Sequence, residues 1–116
     1  MVEGSCHCGA VQIAVPEPPA TVTDCNCSIC RRLGTLWAYY PASGVTVRGA
    51  TDTYQCGDRA LYFHRCTVCG NTTHWSGVDP TYDRMGVNAR LMAPEVLRAA
   101  RVRKLDGADT WTWIDE

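Results

Sequence analysis

Three cysteines stand within six residues, Cys25-Asn26-Cys27-Ser28-Ile29-Cys30, and two pairs lie apart from them, Cys6-His7-Cys8 and Cys66-Thr67-Val68-Cys69. Thiols at such spacings suit a metal ion, because a tight turn can bring sulfurs two or three positions apart onto one centre. The two pairs supply four ligands, the number that closes a structural zinc site. The trio supplies three, leaving a position for water or an incoming thiol. Zinc with an open position polarises what binds there, and a thiol bound to it loses its proton near neutral pH. Three thiolates also soften zinc towards a sulfur ligand. Two zinc ions per chain are therefore expected, a structural one on Cys6, Cys8, Cys66 and Cys69 and a reactive one on Cys25, Cys27 and Cys30.

Other residues bear on the open position. Arg31 and Arg32 follow the trio at once, placed to offset its charge or hold an anionic substrate, or else to form a solvated face. Trp37, Tyr39 and Tyr40 come next and either line a substrate pocket or pack in the sheet. Cys56, His64 or His74 would, by joining the trio, turn it into a second structural centre. Cys56, before Gly57, reads instead as a free thiol in a turn. His64 and His74 read as strand residues, and His7 as pointing away from the metal that its neighbours hold.

The elements that must position these residues are short. Apolar residues alternate over Val11–Val15, Thr21–Cys25, Leu36–Tyr40, Val45–Val47 and Thr53–Gln55, then over Leu61–Cys66, Thr72–Trp75 and Tyr82–Val87. That alternation predicts strands. Val102–Leu105 and Thr110–Ile114 are expected as closing edge strands. Ser28 is placed to cap one helical turn through Arg32, with Gly34 ending it, and Pro94 opens a second short helix over 93–97. Gly9 eases the kink that Cys6 and Cys8 need to share an ion. The pattern predicts a mainly β fold, a sandwich or partly open barrel with one or two helical turns, as one domain over 1–116.

Composition narrows the function. Formal net charge is -1 over 116 residues, and two divalent ions on seven thiolates would take it to about -4. No broad basic surface is expected for nucleic acid, and Arg98, Arg101, Arg103 and Lys104 read as a solvated face. Eight cysteines could also form disulfides, but the start Met1-Val2-Glu3-Gly4-Ser5 lacks a basic, apolar leader. A reduced cytoplasmic setting with bound metal is expected, with no membrane span. Exposed sheet edges make a homodimer an open expectation.

With these motifs assembled, the chain resembles the glutathione-dependent formaldehyde-activating (GFA) family, related to centromere protein V and sharing the Mss4-like fold. The likeness rests on Gly4-Ser5-Cys6-His7-Cys8-Gly9-Ala10-Val11, on Cys25 to Arg32, on Cys66 to Gly70, and on a tail containing Val87-Asn88-Ala89-Arg90-Leu91 and Leu105-Asp106-Gly107-Ala108-Asp109. The resemblance implies a Mss4-like, zinc-stapled β fold. It implies Cys6, Cys8, Cys66 and Cys69 as structural zinc ligands and Cys25, Cys27 and Cys30 as catalytic ones. It also implies a carbon–sulfur lyase whose named reaction, written in reverse, adds glutathione or a related small thiol to formaldehyde. The competing reading is a non-catalytic, zinc-stabilised binding module, with Trp111-Thr112-Trp113 as an apolar contact patch.

Overall fold

The computed structural model describes residues 1–114; the last two residues of the expected domain lie outside the described range. In chain order the strands are β1 Val2–Ser5, β2 Gln12–Val15, β3 Thr21–Cys25, β4 Trp37–Tyr40 and β5 Thr46–Arg48. They continue as β6 Thr51–Tyr54, β7 Leu61–Cys66, β8 Thr72–Gly77, β9 Met85–Asn88 and β10 Arg101–Leu105. Two short helices interrupt them, α1 Ser28–Leu33 and α2 Pro94–Ala99. The chain is mainly β, as its alternating pattern predicts.

The strands form two sheets rather than a closed barrel. A three-stranded sheet has the order β1-β2-β5, and a seven-stranded one has the order β10-β3-β4-β9-β8-β7-β6. Pairing is antiparallel except between β10 and β3, which run parallel with Leu105 beside Cys25.

Alternation along β4 explains how one sheet serves two apolar clusters. Ala38 and Tyr40 join a main core with Ile13, Val15, Val22 and Val87, residues drawn from both sheets. Trp37 and Tyr39 point the other way, into a second cluster with Trp75, Phe63, Cys25 and Cys30. Period-two geometry requires this split once the strand is extended. Burying each valine of the main core contributes ~1.5–3 kcal/mol relative to exposure. Cys6 and Cys66 belong to that main core, so the two cysteine sets sit in different clusters.

Three sequence expectations need correction, and one strand adds to them. The helix cap is Cys27 rather than Ser28: its sulfur accepts a hydrogen bond from Cys30 N–H, and Gly34 closes the helix in the left-handed region at φ 70°. Thr110–Ile114 is not an edge strand; apart from an isolated bridge between Trp113 and Leu105 it is turn. Its residues bond to Asp106, whose side chain accepts from the Thr110 N–H and hydroxyl. The strand expected over 82–87 begins only at Met85, because Asp79 holds a turn through Thr81 and Tyr82. Val2–Ser5, not foreseen, pairs with β2 as the first strand.

Candidate metal centres

The four-cysteine set is built from two similar turns. Cys6 ends β1's extension and its N–H donates to Val11 O, while Gly9 N–H returns to Cys6 O. Cys66 ends β7, its N–H donates to Asn71 O, and Gly70 N–H returns to Cys66 O. Each turn closes on a glycine in the left-handed region, Gly9 at φ 83° and Gly70 at φ 74°, which a side chain would strain. The first is the kink that the Cys6–Cys8 spacing requires.

Together the turns bring all four sulfurs within 4.8 Å of one another. Cys8 Sγ lies 3.7 Å from Cys6 Sγ and 3.6 Å from Cys66 Sγ. Four sulfurs at ~2.3 Å from a central zinc would stand ~3.8 Å apart at the corners of a tetrahedron, so the spacing fits that ion. Backbone donors also aim at the sulfurs: Val11 N–H at Cys6, Ala10 N–H at Cys8 and Val68 N–H at Cys66. The N–H groups of Cys8 and Asn71 hold the Cys69 thiol at about 6, below its ordinary range. Donors ring the sulfurs as they would ring thiolates. His7 is exposed between Cys6 and Cys8, and its backbone N–H donates to Asn71 Oδ1.

The trio is assembled differently. Cys25 ends β3, Cys27 caps α1, and Cys30 lies one helical turn on, so strand end and helix start converge. The three sulfurs lie within 4.8 Å of one another. Among the described residues no fourth His, Cys, Asp or Glu ligand joins them. Cys56 is a separate free thiol. His64 is bonded at 2.8 Å to both Thr51 and Ser76 and stacks on His74 at 3.9 Å, so both histidines are engaged elsewhere.

Donors surround this set as well. Trp37 Nε1 donates to Cys30 Sγ at 3.3 Å, and Gly107 N–H donates to Cys25. The neighbouring Cys30 thiol holds Cys25 down to about 6, and the same contact, with burial, pushes Cys30 up. The two buried sulfurs thus favour opposite protonation states, and a divalent cation would take the place of the proton between them.

Cys27 opens onto a cavity of about 970 Å³. Its walls come from α1 (Ile29, Arg31), from the β6–β7 turn (Cys56), from β7 (Phe63), and from Tyr82 and Trp111 in later loops. A smaller cavity of about 390 Å³ shares Cys56 and Phe63 with it and adds Arg32 and His64. Arg31 and Arg32 are thus both exposed beside the trio, each on a different cavity. Trp37 is not a cavity residue: it is 1% exposed and meets Cys30 from within the cluster. Tyr40 lies in the main core, and Tyr39 stacks under the Arg84 guanidinium.

Sequence reasoning did not foresee the clasp around the trio. Asn26, between two of the cysteines, donates to Asp106 Oδ1 at 3.0 Å and accepts from Ala108 N–H at 2.9 Å. These bonds lay residues 106–108 over the trio. A Cβ on Gly107 would stand 2.5 Å from Cys25 Sγ, so only glycine admits this approach. The Asp-Gly pair was a visible turn signal, but its target is 80 positions away.

A family model described as the glutathione-dependent formaldehyde-activating enzyme matches residues 1–103, and so takes in both cysteine sets. The chain belongs to this family. Among GFA relatives, a Halomonas elongata protein provisionally named a glutathione-dependent formaldehyde-activating enzyme is 41% identical over 54 residues. That stretch is 46% of this chain and 32% of the relative, so the chain spans about a third of that relative's length. A crystal structure of a Rhodobacter sphaeroides protein superposes on this GFA chain with a TM-score of 0.71 at 34% identity. The superposition covers 86% of this chain and 98% of the other.

Proposed function

We propose that this chain is an enzyme of the carbon–sulfur lyase class, a single cytoplasmic domain that adds a small thiol, glutathione in the first instance, to formaldehyde. The observation that carries the reading is the trio: three convergent thiols, no fourth ligand side chain among the described residues, and a cavity at Cys27. The family description names the same thiol and carbonyl. Zinc on Cys25, Cys27 and Cys30 would supply Lewis acidity and a binding position for sulfur. The four-cysteine set would hold a second zinc in a structural role.

The chain's own residues have separable tasks. Trp37 and Gly107 direct N–H groups at the outer two sulfurs and so stabilise their thiolate forms. Ile29 and Phe63 give the cavity apolar walls that limit water beside the trio. Arg31 offers a cation to a substrate carboxylate at the cavity wall. In the reaction a carbon–sulfur bond forms while the carbonyl π bond breaks. The proton lost by the thiol ends on the new hydroxyl oxygen, and no electrons are transferred.

The test is adduct formation from glutathione and ¹³C-formaldehyde, followed by NMR with protein carrying two zinc ions. Catalysis above the spontaneous rate, abolished by Cys27→Ser with the fold retained, is the expected result. A rate equal to the uncatalysed one would refute the proposal.

A further inference from the structure

Of the four tryptophans, three are sequestered: Trp37 and Trp75 are buried, and Trp113 lies under the Arg103 guanidinium at 3.7 Å. Trp111 is 68% exposed. Its backbone also sits at φ 58°, a region that a bulky L-residue rarely enters. A large apolar side chain left in solvent on a strained backbone contributes little to folding, and such costs collect at binding sites.

The surrounding bonds fix this arrangement. Trp111 N–H donates to Asp106 O at 2.7 Å, and Asp106 N–H donates to Thr112 O at 2.8 Å. Asp106 is in turn held by Asn26, which lies between Cys25 and Cys27. The backbone that carries the indole is therefore bonded to the same loop that carries the trio. A missing atom gives the proximity. The point where a Gly107 Cβ would stand is 2.5 Å from Cys25 Sγ and 3.4 Å from Trp111 Cζ3. Indole and sulfur thus flank one glycine, and the ring forms a wall of the cavity that Cys27 also lines.

We infer that Trp111 is the specificity-determining residue that recognises the organic skeleton of the thiol. This rests on the thiol-addition reading above and deepens it. An indole face suits methylene groups and peptide planes, and Arg31 in the same cavity suits a carboxylate. A cavity of about 970 Å³ is far larger than formaldehyde or a two-carbon thiol requires. The combination selects a peptide-sized thiol with an anionic end over a minimal one.

The experiment uses the full chain loaded with zinc and reads binding rather than turnover. Glutathione and 2-mercaptoethanol are titrated against wild type, Trp111→Ala and Trp111→Phe, with acrylamide quenching of tryptophan fluorescence measured at each end point. Glutathione should shield the wild-type fluorescence from acrylamide. Trp111→Ala should weaken glutathione about tenfold, Trp111→Phe should restore most of that loss, and 2-mercaptoethanol should bind all three alike. Equal glutathione affinity in wild type and Trp111→Ala would overturn the role of Trp111 and leave the thiol reading standing. Shielding that follows protein concentration instead of glutathione would assign the indole to contact between copies, and would also overturn it. Absence of any thiol binding by the wild type would overturn both readings.

Discussion

Trp37 Nε1 points at Cys30 Sγ from 3.3 Å away, inside a cluster where both residues are almost wholly buried. The indole therefore packs the second apolar cluster and also aims a donor that opposes the rise which the Cys25 contact and burial impose on the Cys30 thiol. Trp37→Phe preserves most of the ring volume and deletes the donor. The expected loss is about 1–3 kcal/mol of stability, read from urea midpoints. Metal affinity at the trio should fall about tenfold in chelator competition, the size of effect typical for a ligand's outer hydrogen-bond partner. The four-cysteine set should bind as before.

Gly107 invites a sharper test, because its hydrogen is replaced by a methyl group in Gly107→Ala. That methyl would lie 2.5 Å from Cys25 Sγ, closer than side chains approach one another, and in a tight 3.3 Å contact with Cys27 Cβ. The loop must lift, and the donor to Cys25 goes with it. Zinc content should drop from two ions to one per chain, with about 1–3 kcal/mol lost. Gly44→Ala is the control, since its nearest neighbour atom is 3.6 Å away and its effect should be within ~0.5 kcal/mol.

These two residues show where the sequence stops being legible. Cys6 could be paired with Cys8, and Cys66 with Cys69, from spacing, because a tight turn brings such sulfurs together; joining the two pairs rested on ligand count and on the family resemblance. Val22, Ala38 and Val87 could be placed on strands from their alternation. Cys27 as helix cap was hidden because Ser28 is the commoner capping type. Trp111 and Trp113 read as one apolar patch, yet one lies under Arg103 and the other opens on the cavity. The cavity itself is assembled from α1 near 29 and from loops near 56, 82 and 111, and no local pattern announces such a meeting.

The two cysteine sets should fail differently when a ligand is removed. Cys6 and Cys66 are each 2% exposed and sit in the main core, where loss of a bound ion would leave mutually repelling sulfurs and a broken link between the two turns. Cys6→Ser should give insoluble or unfolded protein, seen as loss of dispersed NMR amide signals. Cys27 is half-buried at the start of α1, where its sulfur accepts from Cys30 N–H. A serine hydroxyl makes that cap at least as well, so Cys27→Ser should keep the native spectrum and lose one zinc. Unfolding of Cys27→Ser would show that the trio's ion is structural.

The histidine pair sets a pH limit independent of the ligands. His74 is 4% exposed, with Thr73 at its Nδ1, and burial together with the facing His64 depresses it to about 3. Its unfolded value is near 6.5, so below that pH the unfolded chain binds a proton that the native state refuses. The stabilisation is full above about pH 6.5 and is lost as pH falls towards 3; at pH 5 the loss reaches about 2 kcal/mol. Acid also releases metal from thiolates, which acts in the same direction. The measurement is therefore the difference between wild type and His74→Gln, taken from urea midpoints between pH 7 and pH 5. The wild type should lose about 2 kcal/mol more than the variant over this interval, and parallel slopes would remove His74 from the account.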